Sequence, residues 1–90
     1  MKTVNREQLI KWLQKFFRSV RTTEDFNGNE GGVWVSAEDQ ATYGGLEIYD
    51  YYSESRSYDL GVLAKFEDAL QKKGWYSEWH DAGTVMIWEM

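Results

Sequence analysis

The stretch Trp75–Glu89, WYSEWHDAGTVMIWE, governs how the rest of the chain is read. Asp81-Ala82-Gly83 is a short, glycine-bearing link between two apolar-rich runs, Trp75 to His80 and Thr84 to Glu89. That is the pattern of a β-hairpin. Successive side chains of a strand point to opposite faces. Val85 and Ile87 therefore share one face, and Met86 and Trp88 share the other. Tyr76, Glu78 and His80 are assigned to the face of Met86 and Trp88, although Trp75 and Trp79 compete with Tyr76 for the inside. Both faces of this hairpin are heavy, which is unusual for a sheet with one solvated side.

Two earlier segments, Val33 to Ala37 and Gly45 to Tyr51, carry the same signature of branched and aromatic side chains. Val33, Val35, Leu46 and Ile48 have one parity; Trp34, Glu47, Tyr49 and Tyr51 have the other. Asn5 to Arg21 has helical spacing, with Leu9, Trp12, Leu13, Phe16, Phe17 and Val20 on one arc. Asn5 followed three residues later by Gln8 is a capping pattern. Asp59 to Lys73 is a second helical stretch, with Val62, Leu63, Phe66, Ala69 and Leu70 as its stripe and Gly74 beyond its last turn. The expected order is α-β-β-α-β-β. It implies an α+β fold in which a four-stranded antiparallel sheet carries two helices on one face.

Ninety residues suit one domain spanning 1–90. No cysteine is present, which excludes disulfides, zinc thiolate sites and thiol nucleophiles and fits the cytoplasm. Met1 leads into polar residues rather than an apolar run, so neither a signal peptide nor a membrane span is expected. The net charge of −5 is unevenly spread. Residues 1–23 hold six basic groups and one acid, whereas residues 24–90 hold four basic groups and fourteen acids. The two parts should attract different partners.

No catalytic set emerges. His80 is the single histidine, and Glu78, Asp81 and Glu89 near it do not form a compelling metal or acid–base pattern. The glycines at 28, 31 and 32 lack the Lys-Ser or Lys-Thr of a phosphate loop. The expectation is therefore a non-enzyme with no metal and no cofactor.

Two helices cover only one face of a small sheet. The other face would present Trp34, Glu47, Tyr49, Tyr51, Tyr76, Glu78, Met86 and Trp88, an aromatic surface with acid mixed in. Such a surface suits a small acidic protein-binding module of the inhibitor or immunity type that engages a basic partner protein. Stacking of two such faces into a homodimer is a related use. Alternatively, the long segments Thr22–Gly32 and Tyr52–Tyr58 cover these aromatics. A different reading assigns nucleic-acid binding to a basic helical ridge of Lys11, Lys15 and Arg18, with Arg21 beyond it.

Overall fold

A computed structural model describes residues 3–90; Lys2 of the basic segment lies outside them. Asn5 caps the first helix, α1 (Arg6–Leu13), through a complete capping box. Its side chain accepts from the Gln8 amide, and Gln8 accepts from the Asn5 amide. The helix does not run on to Arg21. The amides of Lys15 and Phe16 reach back only three residues, to Trp12 and Leu13, which tightens the last turn and ends the helix. Strand-forming residues beyond this turn compete with further helix. Val20, Thr22 and Thr23 are β-branched, and Val20–Thr22 pairs as strand β1 with Val33–Val35.

A five-residue helix, α2 (Thr23–Asn27), comes next and ends on Gly28 in the left-handed conformation. Strand β2 (Val33–Ser36) then leads through a single tight turn, Ala37–Asp39, into a small ribbon of β3 (Thr42–Tyr43) and β4 (Leu46–Glu47). A second ribbon, β5 (Tyr58–Asp59) and β6 (Val62–Leu63), precedes helix α3 (Ala64–Gln71). The predicted hairpin closes the chain as β7 (Trp75–Asp81) and β8 (Thr84–Glu89), with His80 displaced by a bulge.

The fold is α+β with a four-stranded antiparallel sheet in the order β1-β2-β8-β7. One sheet strand differs from the expectation. Gly45 to Tyr51 does not join the sheet, and Val20–Thr22 takes that place at the edge. The second predicted helix likewise starts later, at Ala64, because Leu60 and Gly61 form a two-residue hairpin turn with φ of 51° and 80°.

Helices α1 and α3 pack on one face of the sheet, the inner face. Val33, Val35, Val85 and Ile87 are fully buried there with Leu9, Leu13, Phe66 and Leu70. Phe66 is the hub. Its ring lies parallel to Trp12 at 5.4 Å and meets Phe16, Phe17, Tyr43 and Tyr49 edge-on at 5.8 to 6.3 Å. Edge-on and offset ring pairs contribute beyond their burial, roughly 0.5–1.5 kcal/mol each. Ile48 joins this core as expected, but Leu46 does not: the ribbon turns its side chain outward, 47 % exposed.

Tyr49 is also an inner-face residue. Its hydroxyl hydrogen-bonds Ser77 Oγ at 2.9 Å beneath the sheet, and its ring stacks on Phe17. Burial pushes the phenol well above its ordinary range, and the nearby Glu67 carboxylate acts in the same direction against the Ser77 hydrogen bond. A tyrosine held neutral by the fold stabilises it fully below the unfolded pKa of about 10, and that contribution is lost as pH climbs above it. Tyr49 should therefore ionise only in step with unfolding. Phenolate absorbance recorded beside circular dichroism checks this. A Tyr49→Phe variant should lose the phenolate signal that coincides with unfolding.

Candidate functional site

The register aligns Arg21, Trp34, Met86 and Glu78 in one row across the sheet, with Trp88 opposite Tyr76 in the next. These side chains occupy the outer face, away from α1 and α3. Five of the predicted contact residues, Trp34, Tyr76, Glu78, Met86 and Trp88, are thus together, and Trp88 donates its indole N–H to Glu78 at 3.2 Å.

The face is not bare, however, because α2 folds over part of it. Phe26 sits 5.0 Å from the Trp34 ring and meets the His80 ring edge-on at 5.1 Å. Met86 is only 2 % exposed, and the Trp34 indole N–H is buried without a partner. Arg6 anchors this roof from α1, pairing with Glu24 at 2.7 Å and reaching the Gly32 carbonyl. The Gly31 amide and the Arg6 guanidinium hold the Glu24 carboxyl below its usual range. Gly32 lies under the Trp88 ring, where a Cβ would come within 2.6 Å of it. A helix was not expected in Thr23–Asn27 because the stretch is polar. Its signals were the acids Glu24 and Asp25 in a first turn, one Phe, and glycine immediately after.

The remaining predicted contact residues lie elsewhere. Glu47 is on the exposed ribbon strand β4, and Tyr49 is in the inner core. Tyr51 is in the turn beyond it, its ring 5.0 Å from Trp79 of the inner face. The outer-face assignment of Glu47, Tyr49 and Tyr51 is therefore corrected: alternation applies only within a strand of that sheet, and this segment is not one.

The basic ridge is also altered. Lys11 is on α1, but Lys15 lies in the turn after it and Arg18 in an extended link. The Arg18 amide donates to Asp39 at 2.6 Å, and Arg21, on β1, pairs with Asp25 at 3.1 Å. Helical spacing at i, i+4 and i+7 no longer aligns these cations once the helix stops at Leu13.

Among the described residues, four of the six exposed large apolar side chains gather on the excursion 46–60, Phe26 and Met90 being the others. Leu46, Tyr51, Tyr52 and Leu60 are 47, 49, 80 and 87 % exposed. This segment also carries Glu47, Asp50, Glu54 and Asp59 against the single cation Arg56. Two depressions flank it. A cleft of about 460 Å³ lies between α3 and β7, with the acids Asp59, Glu67 and Asp68 among its lining residues. A shallower groove of about 330 Å³ carries Glu38, Glu47 and Asp50 with Tyr51 and Tyr52. Apart from Glu78, whose carboxylate is held by Trp88 on the outer face, their linings hold six acidic residues and no Lys, Arg or His. Trp79 lines the first and Tyr51 the second, so the Tyr51–Trp79 ring pair stands where they approach each other.

Sequence reasoning passed over Leu60, Trp79, Tyr52 and Asp59 as elements of a surface. The clustering of three tyrosines around one acid in Tyr49-Asp50-Tyr51-Tyr52 was the available signal. Among the described residues no three His, Asp or Glu side chains group as a metal-holding set, and no helix is long and apolar enough to cross a membrane. Comparison of the chain with protein-family profiles, characterised proteins and solved structures returns no match.

Proposed function

We propose that this chain is a small protein-binding module of the inhibitor type, which engages a basic partner protein through the acidic and aromatic surface around Tyr51 and Trp79. The observation that carries this reading is the pair of depressions lined by six acidic residues without a cation, beside the exposed rings of Tyr51 and Tyr52. Aromatic side chains supply contact area at a small entropic cost, and carboxylates around them attract basic surfaces and repel nucleic acid. Occluding a basic working surface of the partner is the effect such a module exerts. The outer face, with Phe26 packed on Trp34 and the Trp88 ring lying over Gly32, has less free apolar area to offer.

The test is capture of the partner from the source cells, its identification by mass spectrometry, and calorimetry with the purified pair. The partner should be basic, and affinity should fall as salt rises. Asp50→Lys together with Tyr51→Ala should weaken binding by more than about tenfold, equivalent to about 1.4 kcal/mol. Reversing Lys11, Lys15 and Arg18 to Glu should leave it nearly unchanged. An acidic partner, or loss of binding through the lysine and arginine reversals alone, would overturn the proposal.

A further inference from the structure

One donor on the outer face is cut off from water and receives nothing in return. The Trp34 indole N–H is buried and has no hydrogen-bond acceptor. Helix α2 lies over that ring. Phe26 stands 5.0 Å from the Trp34 ring and 5.1 Å from the His80 ring. Trp34 is on β2 and His80 on β7, with β8 between them, so a ring that meets both lies across β8. Met86, the partner of Trp34 on β8, is 2 % exposed. A buried N–H without an acceptor costs the closed arrangement its bond to water, and lifting the roof restores that bond.

The roof is lightly built. At five residues α2 is little more than one turn, and a helix so short is not stable by itself. Thr23 is its only buried residue, and Phe26 is its only large apolar one. The base of the segment is tied. The Thr23 amide donates to the Gly32 carbonyl at 3.1 Å, and the Gly32 amide donates to Thr23 Oγ1 at 3.0 Å. Above these ties α2 is held down by Phe26 and by the ion pairs Arg6–Glu24 and Arg21–Asp25. Both side chains of the second pair are 57 % exposed, so it contributes little. Gly28 and Gly31 have φ of 83° and 92°, and nothing lies within 4 Å of a Cβ built on either. The backbone there is free of packing and has the wide conformational range of glycine.

We propose that α2 is a strap that opens locally: Phe26 lifts off Trp34 and His80 while the sheet stays folded, and Trp34 and Met86 become open surface beside Trp88. Burial of part of the Phe26 ring favours the closed state, and the unpaired indole N–H opposes it. Opening therefore costs far less than unfolding the domain, as befits an element with few buried apolar side chains. The outer face thus has two states, one roofed and one with its central apolar row bared. The strap shares no residue with the acidic depressions, so this gate operates whatever the acidic surface binds.

The experiment is native-state hydrogen exchange of the ¹⁵N-labelled chain, read at the Trp34 indole N–H and at the slowest backbone amides of β8. With no hydrogen bond of its own, the indole N–H is protected only by the roof, so its exchange reports opening directly. It should exchange at least about a hundredfold faster than the β8 amides, with a rate that low urea hardly changes, because a local opening exposes little surface. Ile87→Val, a mild change on the inner face, separates the two routes. It should speed the β8 amides about fivefold by weakening the whole domain and leave the Trp34 indole unchanged. Phe26→Ala should speed the indole at least about tenfold, since it removes the ring that holds the strap down. If the Trp34 indole exchanges no faster than the β8 amides and shares their urea dependence, the roof is a fixed part of the fold and the proposal fails. It also fails if Ile87→Val speeds the indole and the amides together, or if Phe26→Ala leaves the indole rate unchanged.

Discussion

Phe66→Ala should lower stability by about 3–5 kcal/mol, the usual range for deleting a buried Phe ring. For a small domain whose whole stability is on the order of 5–15 kcal/mol, this approaches unfolding. The ring is fully buried and touches the rings of Trp12, Phe16, Phe17, Tyr43 and Tyr49, which come from α1, the turn after it, the first ribbon and the segment leading to Tyr51. Those neighbours belong to different elements, so no single one can move in to refill the space. Urea denaturation gives the value directly. Heating should show a midpoint lowered by more than about 12 °C, at about 4–8 °C per kcal/mol for a domain of this size. Phe26→Ala is the matched control, because that ring is 37 % exposed and has a smaller cost. A Phe66→Ala loss below about 1 kcal/mol would mean that the core is not centred on this ring.

Gly61→Val should be nearly as damaging, for a different reason. At φ of 80°, a Cβ on residue 61 would stand 2.8 Å from the Asp50 carbonyl oxygen, 3.0 Å from Tyr51 Cα and 3.1 Å from Trp79. The first two are backbone atoms and cannot swing away. A left-handed conformation costs a non-glycine residue about 1–2 kcal/mol. Moving the 50–51 segment aside would also break the bond from the Asp50 amide to the Gly61 carbonyl, a further loss of roughly 0.5–1.5 kcal/mol. A total of about 3 kcal/mol in urea denaturation is expected from these terms together with the clash. Gly28→Ala separates the contributions, since Gly28 has φ of 83° but nothing within 4 Å of a built Cβ. It should show the conformational cost alone. Because Tyr51 and Trp79 border Gly61, the valine variant should also lose binding to the partner, whereas Gly28→Ala should keep it.

Much of the fold was legible where the local signal and the final packing agree. The closing hairpin satisfied three demands at once: β-rich composition, alternation and a short glycine-bearing link. Its parity was correct, so Val85 and Ile87 face the helices and Met86 and Trp88 do not. The Asn5 and Gln8 pair was equally readable, because a capping box is a contact between residues three apart. The segment from Phe16 to Thr22 was ambiguous by contrast. Its apolar spacing continues a helix, but Val20, Thr22 and Thr23 favour a strand, and pairing with β2 resolved the conflict. The binding surface was less visible still. Tyr49 and Tyr51 look alike in sequence, yet one is locked to Ser77 inside and the other borders an acidic cleft.

The chain by itself determined its α+β class, the absence of thiol chemistry, the acid excess after residue 23 and the inner parity of β2 and β8. These depend on composition and on periods of two to four residues, which are local quantities. Only the tertiary structure decided that α2 would roof the outer face, that Glu67 would reach Ser77 across ten positions, and that Trp79 would meet Leu60 and Tyr51. Each of these is a contact between distant residues, selected because it buries a ring or satisfies a polar group that nearer neighbours could not.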